Sequence, residues 1–303
     1  MAKFPVAGLR SVDVMVPDLA AAAAFYTDVW GLTVADRTRT SVWLRGTGGD
    51  AQIFALHAGD ESAIRSMTFR AALETDPHVL VAAMVARGAE RLDAGKTADE
   101  PGAGTILAVR DAQGRTIRIV HDDILAVPLA PDPDRPERLA HVNINSDDVM
   151  RDADFYTGAL GFTLTDRSKM MAFVRTNSDH HSVVIADAPV NTLNHIAFQL
   201  PEWEGVMRAA GRMVDHHFPI GWGPGRHGPG NNVFAYFVDP FGFVVEYTAD
   251  VLQVDDGYRA GGPDDWTWPA GRTDQWGIAP PKTVECKAAQ LAIPFARPEG
   301  ERQ

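Results

Sequence analysis

The sequence predicts an α+β protein of four βαβββ modules, paired into two similar domains, each a curved mixed sheet around a cavity. Three observations lead there. Residues 9–37 and 139–167 align at a constant offset of 130, so that Leu9 meets Leu139, Phe25-Tyr26 meets Phe155-Tyr156, Gly31 meets Gly161 and Asp36-Arg37 meets Asp166-Arg167. The order strand, helix, three strands recurs within each half. Modules this small cannot each bury a core alone and must pack in pairs; 303 residues, 45% hydrophobic and 22% charged, suffice for two such domains.

The second half shows the grammar best. Alternation over Val142–Asn145 marks a half-buried strand, Asp147 or Asp148 caps the following helix, and that helix ends near Gly161. Strands follow at about 163–168, 170–176 and 181–187. After a turn at Ala188-Pro189 the pattern restarts with a strand over 193–200, a helix over 202–214 and strands near 216–220, 231–238 and 243–249. The segment 126–138, with four prolines, reads as a linker. The expected domains are 1–131 and 132–252, followed by a tail, 253–303, of little periodicity. Its Trp266, Trp268 and Trp276 should pack on a neighbouring subunit, over the cavity mouth as a lid, or on their own domain.

Composition narrows the function. A formal net charge of −12 without any dense Lys/Arg run argues against nucleic acid as a partner. No apolar stretch approaches the roughly 20 residues that span a bilayer, and the opening MAKFPVAGLR lacks the apolar core of a secretory signal. Cys286 is the single cysteine, which fits a reducing compartment. The expectation is a cytoplasmic protein with neither nucleic-acid nor membrane partners.

The halves differ where chemistry would be retained in only one. Opposite His141 the repeat places Ser11; opposite His195, roughly Thr68; opposite Glu246, Arg118, once Gly242 is set on Gly114. Two imidazoles and a carboxylate in the second half are thus hydroxyls and a guanidinium in the first, and Arg118 would repel a cation. One metal site is expected, in the second half. Two His and one carboxylate form the facial triad of non-haem iron oxygenases, which leaves coordination positions open.

The pieces LAHVNI, DHHSVVIADAP, LNHIAFQL, GPGRHGPGNNVFAYF and DPFGFVVEY also carry a family likeness. Residues 139–250 resemble the catalytic domain of type I extradiol ring-cleavage dioxygenases of the vicinal oxygen chelate superfamily, and the first half resembles that family's non-catalytic domain. The resemblance implies His141, His195 and Glu246 as metal ligands and His181, His227 and Tyr236 as catalytic residues. It further implies Fe(II), with Mn(II) able to use the same ligands; a catechol-type substrate and O2; and a homo-oligomer. Gly230 departs from relatives acting on biaryl diols, which often carry an acid there. The rivals are a glyoxalase-like isomerase or transferase of the same superfamily and a metal-free ligand-sequestering protein.

Local physics bears on three of these residues. A three-residue loop at Pro240-Phe241-Gly242 pairs Asp239 with Phe243, and counting back sets Tyr236 across from Glu246 on one face. Alternation sends His180 and His181 to opposite faces; strand physics leaves the choice open, the resemblance picks His181, and His180 is then expected to point away. The glycines around His227 suggest a loop that approaches a ligand closely.

Overall fold

The structure is a computed structural model that describes residues 4–92 and 99–296. The first module is β1 (Val6–Val16), α1 (Leu19–Ala24), β2 (Thr33–Arg37), β3 (Ser41–Arg45) and β4 (Phe54–Ala58). The second is β5 (Ala63–Ala71), α2 (Pro77–Val85), β6 (Glu90–Arg91), β7 (Thr105–Arg110) and β8 (Thr116–His121). The third is β9 (Arg138–Ser146), α3 (Val149–Leu160), β10 (Thr163–Arg167), β11 (Met171–Arg175) and β12 (Val183–Asp187). The fourth is β13 (Thr192–Gln199), α4 (Trp203–Asp215), β14 (Trp222–Arg226), β15 (Val233–Val238) and β16 (Val244–Ala249). The predicted α+β class holds. Strand orders β2-β3-β4-β1-β5-β8-β7-β6 and β10-β11-β12-β9-β13-β16-β15-β14 are identical in plan. In each sheet two modules meet through their first strands, antiparallel to one another.

Helix ends follow local rules. Asp18, Asp76 and Asp148 each cap a helix with a side-chain oxygen, and Gly161 closes α3 at φ 69°, where a side chain would be strained. Two expectations need correction. Residues 216–220 form no strand: Phe218 N donates to Met213 O and so closes α4. The strand is β14, inside the Gly/Pro-rich segment that reads as a loop. It lies at a sheet edge, where Pro is tolerated, and Gly223 and Gly225 let the Phe234 ring lie against bare backbone, since a Cβ would sit 3.1 Å from a ring atom at Gly223 and 2.8 Å from one at Gly225. The pair His180-His181, moreover, precedes β12 rather than opening it.

The two halves share one continuous core. Trp30, carried past α1 by a π-helical turn over Phe25–Val29, stacks on Tyr247 of the other half at 3.7 Å between ring centres and 8° between planes. Tyr247 Oη donates to Trp30 O at 2.8 Å, and Tyr26 Oη donates to Asp239 Oδ2 at 2.7 Å. The proline-rich linker is pinned rather than loose: Thr47 N donates to Pro136 O and Arg135 Nε to Gly31 O. Among the described residues no helix is long and apolar enough to cross a membrane.

The tail is more ordered than its lack of periodicity suggests. Thr283 caps α5 (Val284–Ala289), and β17 (Ile293–Pro294) pairs with β13. Trp30→Ala removes a fully buried ring at the joint between halves and should cost about 3–5 kcal/mol. Denaturant unfolding measures this; a loss under about 1 kcal/mol would mean that the stack contributes little.

Candidate metal centre

The concave face of the second sheet carries the site on three adjacent strands. His141 lies on β9, His195 on β13 and Glu246 on β16, and Ala197 of β13 pairs with both His141 and Glu246. All three side chains are buried, and one atom from each lies within 4.8 Å of the others. His141 Nε2 and His195 Nε2 are 3.0 Å apart, and Glu246 Oε2 is 3.3 Å from the first and 3.1 Å from the second. Ligands about 2.1 Å from an ion, at right angles around it, stand about 3 Å apart. The triangle therefore has the dimensions of one face of a coordination octahedron.

The protonation pattern fits a cation. Asn194 Oδ1 lies 2.9 Å from His195 Nδ1 and also accepts from Gln290 Nε2 at 2.7 Å, so it can only accept from the ring. The proton sits on Nδ1 and the lone pair on Nε2. Burial, above all, holds His195 down at about 4, which favours that neutral form. Burial alone would raise Glu246, but the two imidazoles hold it well below the ordinary carboxylate range. Glu246 Oε1 accepts from Asn232 Nδ2 at 3.3 Å, whereas Oε2 has no hydrogen-bond donor. A buried anion facing two imidazole nitrogens calls for positive charge, and these donors suit a divalent metal.

Around the triangle stand the other predicted residues. Tyr236 pairs directly with Glu246, as the hairpin count predicts, and its Oη lies 3.1 Å from His227 Nε2 and 3.5 Å from His195 Nε2. Burial, then the Glu246 charge, pushes the phenol well above its usual range, so it stays protonated. His227 follows β14, stacks on Phe234 at 3.9 Å and is held by burial at about 3. The His181 ring lies 4.3 Å from that of His141, and burial keeps it well below the ordinary histidine range. Only His181 of the adjacent pair lines the cavity. His180 does not look out to the far face; it is fully buried between Asp166 (Nε2 to Oδ2, 2.7 Å) and His181 (Nδ1 to Nδ1, 3.0 Å).

Gly230, at φ 80°, faces the same ring: a Cβ there would come 2.7 Å from His181 Cε1. An acidic side chain at this position has no room while His181 keeps its place.

In the first sheet the corresponding ground is filled. Its pairing aligns Ser11 with His141 and Arg118 with Glu246, but sets Ser66, not Thr68, on His195, because Ser66 pairs Asp13 as His195 pairs Asn143. Arg118 donates to Asp13 Oδ2 at 2.9 Å and to Glu100 Oε2 at 2.7 Å. Positive charge is built into the protein there.

A cavity of about 240 Å³ opens over the triangle. Phe173, Met171 and Trp222 supply apolar wall, and the tail contributes Trp266, Trp268, Thr273 and Lys282. Trp266 and Trp268 thus pack at the cavity over the second sheet of their own chain, while Trp276 packs against Trp203. Asn194, Lys282 and Gln290 escaped the sequence reading. The only signal for Asn194 was its place beside His195, and the tail residues gave none.

Two curved sheets of paired βαβββ modules with a metal-binding cup define a class. The chain belongs to the Glyoxalase/Bleomycin resistance protein/Dioxygenase superfamily: that family's profile matches residues 138–247, and a glyoxalase-like domain profile matches residues 11–120. Metapyrocatechase 2 from Cupriavidus necator is 29% identical over 283 residues, covering 84% of this chain and 82% of the relative. The Mn(II)-bound glyoxalase from Novosphingobium aromaticivorans superposes with a TM-score of 0.87 at 29% identity, over 97% of this chain and 95% of the other. A homoprotocatechuate 2,3-dioxygenase variant from Brevibacterium fuscum shares the fold, with a TM-score of 0.79 at 23% identity over 90% and 79% of the two chains.

Replacing Glu246 by Ala should lower the metal content of the purified protein by at least about tenfold while circular dichroism stays native, since it removes the anionic ligand from a three-ligand set. Metal analysis by atomic emission decides; full occupancy in Glu246→Ala would move the centre elsewhere.

Proposed function

We propose that the protein opens the ring of a monocyclic catechol beside its paired hydroxyls, inserting both atoms of O2. His141, His195 and Glu246 hold iron(II), and manganese(II) suits the same donors. The observation that carries this reading is the buried triangle of three ligands flanked by His181, His227 and Tyr236 in one cavity. The similarity to metapyrocatechase 2 supports it. A cavity of about 150 Å³ accommodates benzene, so 240 Å³ suits one substituted ring better than two. When bound, the metal supplies chelation of the two adjacent oxygens and electron transfer between ring and dioxygen.

The protein's part is positioning and proton control. Tyr236 keeps its proton, so it orients a substrate hydroxyl as a hydrogen-bond partner, with His227 3.1 Å behind it as the next acceptor. His180 donates to Asp166 and so presents its Nδ1 lone pair to the Nδ1–H of His181. That leaves Nε2 of His181 free to take up a proton and return it during turnover, with the buried Asp166 carboxylate steadying the charged state through His180. Walls of Phe173, Met171 and Trp222 keep water from the ring.

A glyoxalase-type isomerisation is the second reading, favoured by the likeness to the Mn(II)-bound glyoxalase. Against it stands the confinement of all three ligands to one sheet while Arg118 occupies the matching place in the other. Oxygen uptake with a panel of catechols, alongside isomerase assays on thiol adducts of 2-oxoaldehydes, separates the two. A yellow ring-opened product supports ring cleavage, and isomerase activity without oxygen uptake refutes it.

His181→Asn should keep its metal and still bind catechol in anaerobic titration, yet turn over about 10²–10⁴-fold more slowly. His180→Asn, acting only through His181, should slow turnover by about tenfold. Oxygen-electrode rates for the two metal-loaded variants provide the comparison; wild-type turnover by His181→Asn would remove it from the mechanism.

A further inference from the structure

The cavity over the metal centre has a charge pattern that ring cleavage alone does not require. Among the described residues its lining includes Lys282 and Lys169 but neither aspartate nor glutamate, in a chain whose formal net charge is −12. Lys169 is exposed, in the turn between β10 and β11. Lys282 is part-buried at the wall, just ahead of α5. Its Nζ lies 4.4 Å from the centre of the Trp222 ring and 5.8 Å from that of Tyr236, and it donates to Gln290 Oε1 at 3.0 Å. Gln290 and Thr283 are themselves fixed, the first by Asn194 and the second by Gly221 O.

Lys282 is therefore aimed, not trailing. An ammonium has three N–H donors; Gln290 uses one, and the aromatic faces accept none as a full hydrogen bond. Burial pulls the amine down from the ordinary lysine range, an effect that an anionic neighbour would reverse. Among the described residues no carboxylate forms an ion pair with it; the groups that act to raise it are the Cys286 thiol and then Glu246, which is committed to the imidazoles.

We infer that Lys282 anchors an anionic substituent on the substrate ring, so that the natural substrate is a catechol bearing a carboxylate or comparable acidic group. This rests on the ring-cleavage reading. The diol addresses the metal triangle, the ring lies against Phe173 and Trp222, and the acid reaches the ammonium, with Lys169 at the mouth favouring its entry. A charge-assisted hydrogen bond in such a setting is worth about 10- to 100-fold in affinity.

The test uses the metal-loaded full chain and catechols carrying a carboxylate directly or through one or two methylenes, each paired with its methyl ester. Wild type should bind and turn over at least one acid 10- to 100-fold better than its ester. In Lys282→Met that ratio should fall to near one, and Lys282→Arg should keep most of it. No preference for any acid in wild type, or an unchanged preference in Lys282→Met, overturns the inference; so does equal weakening of acid and ester, which would place Lys282 against the ring oxygens. Anaerobic titration separates the two levels of the argument. If no catechol is opened, the ring-cleavage reading fails, while the acid-to-ester binding ratio still reports on Lys282.

Discussion

One buried carboxylate sets the terms for the second sheet. Glu246 has no access to solvent, and its Oε2 faces two imidazole nitrogens at 3.1 and 3.3 Å. Two imidazole nitrogens crowd one point at 3.0 Å, and an isolated buried anion is costly. A cation resolves both at once. The surroundings follow from that requirement: Asn194 fixes the His195 tautomer, Asn232 takes the other carboxylate oxygen, and Tyr236 and His227 stay uncharged beside them. The first sheet meets the same need with Arg118 between Asp13 and Glu100. Duplicated folds have thus reached two solutions for charge at the centre of a sheet: an internal guanidinium in one, a ligand set for a divalent metal in the other.

Much of this was legible because it depends on local pattern. The repeat exposes its hydrophobic phase twice, so the order and type of most strands could be read from spacing. The register that sets Tyr236 against Glu246 followed from the Asp-Pro-Phe-Gly turn alone. The misread parts share a physical cause, since their order comes from distant contacts. β14 is a strand because Phe234 packs on its glycines, although its composition favours turns. The counterpart of His195 is Ser66 rather than Thr68 because pairing with β1 and β9 sets it, Ser66 lying opposite Asp13 as His195 lies opposite Asn143, and no local pattern in β5 displays that register. The His180-His181 pair sits in a bend, where alternation does not apply.

The tail illustrates the same point more strongly. Asp166 accepts from Tyr258 Oη and Gly261 N, and Gly221 O accepts from Thr283 N. Each bond reaches back to an element laid down earlier in the chain, so no window of tail sequence reveals the order. Asp166 also holds His180, and the residues that position the cavity histidine and the cover over the cavity therefore share one carboxylate.

The position of that cover, after all three ligand-bearing strands, bears on how the protein is made. The three strands that carry His141, His195 and Glu246 leave the ribosome before the segment that holds Trp266, Trp268, Lys282 and Gln290, and β17 can pair with β13 only after that. During synthesis the ligand triangle is thus complete while one wall is still missing, and the newborn centre stands open to water and to whatever ions surround it. The finished wall arrives after the centre that it covers.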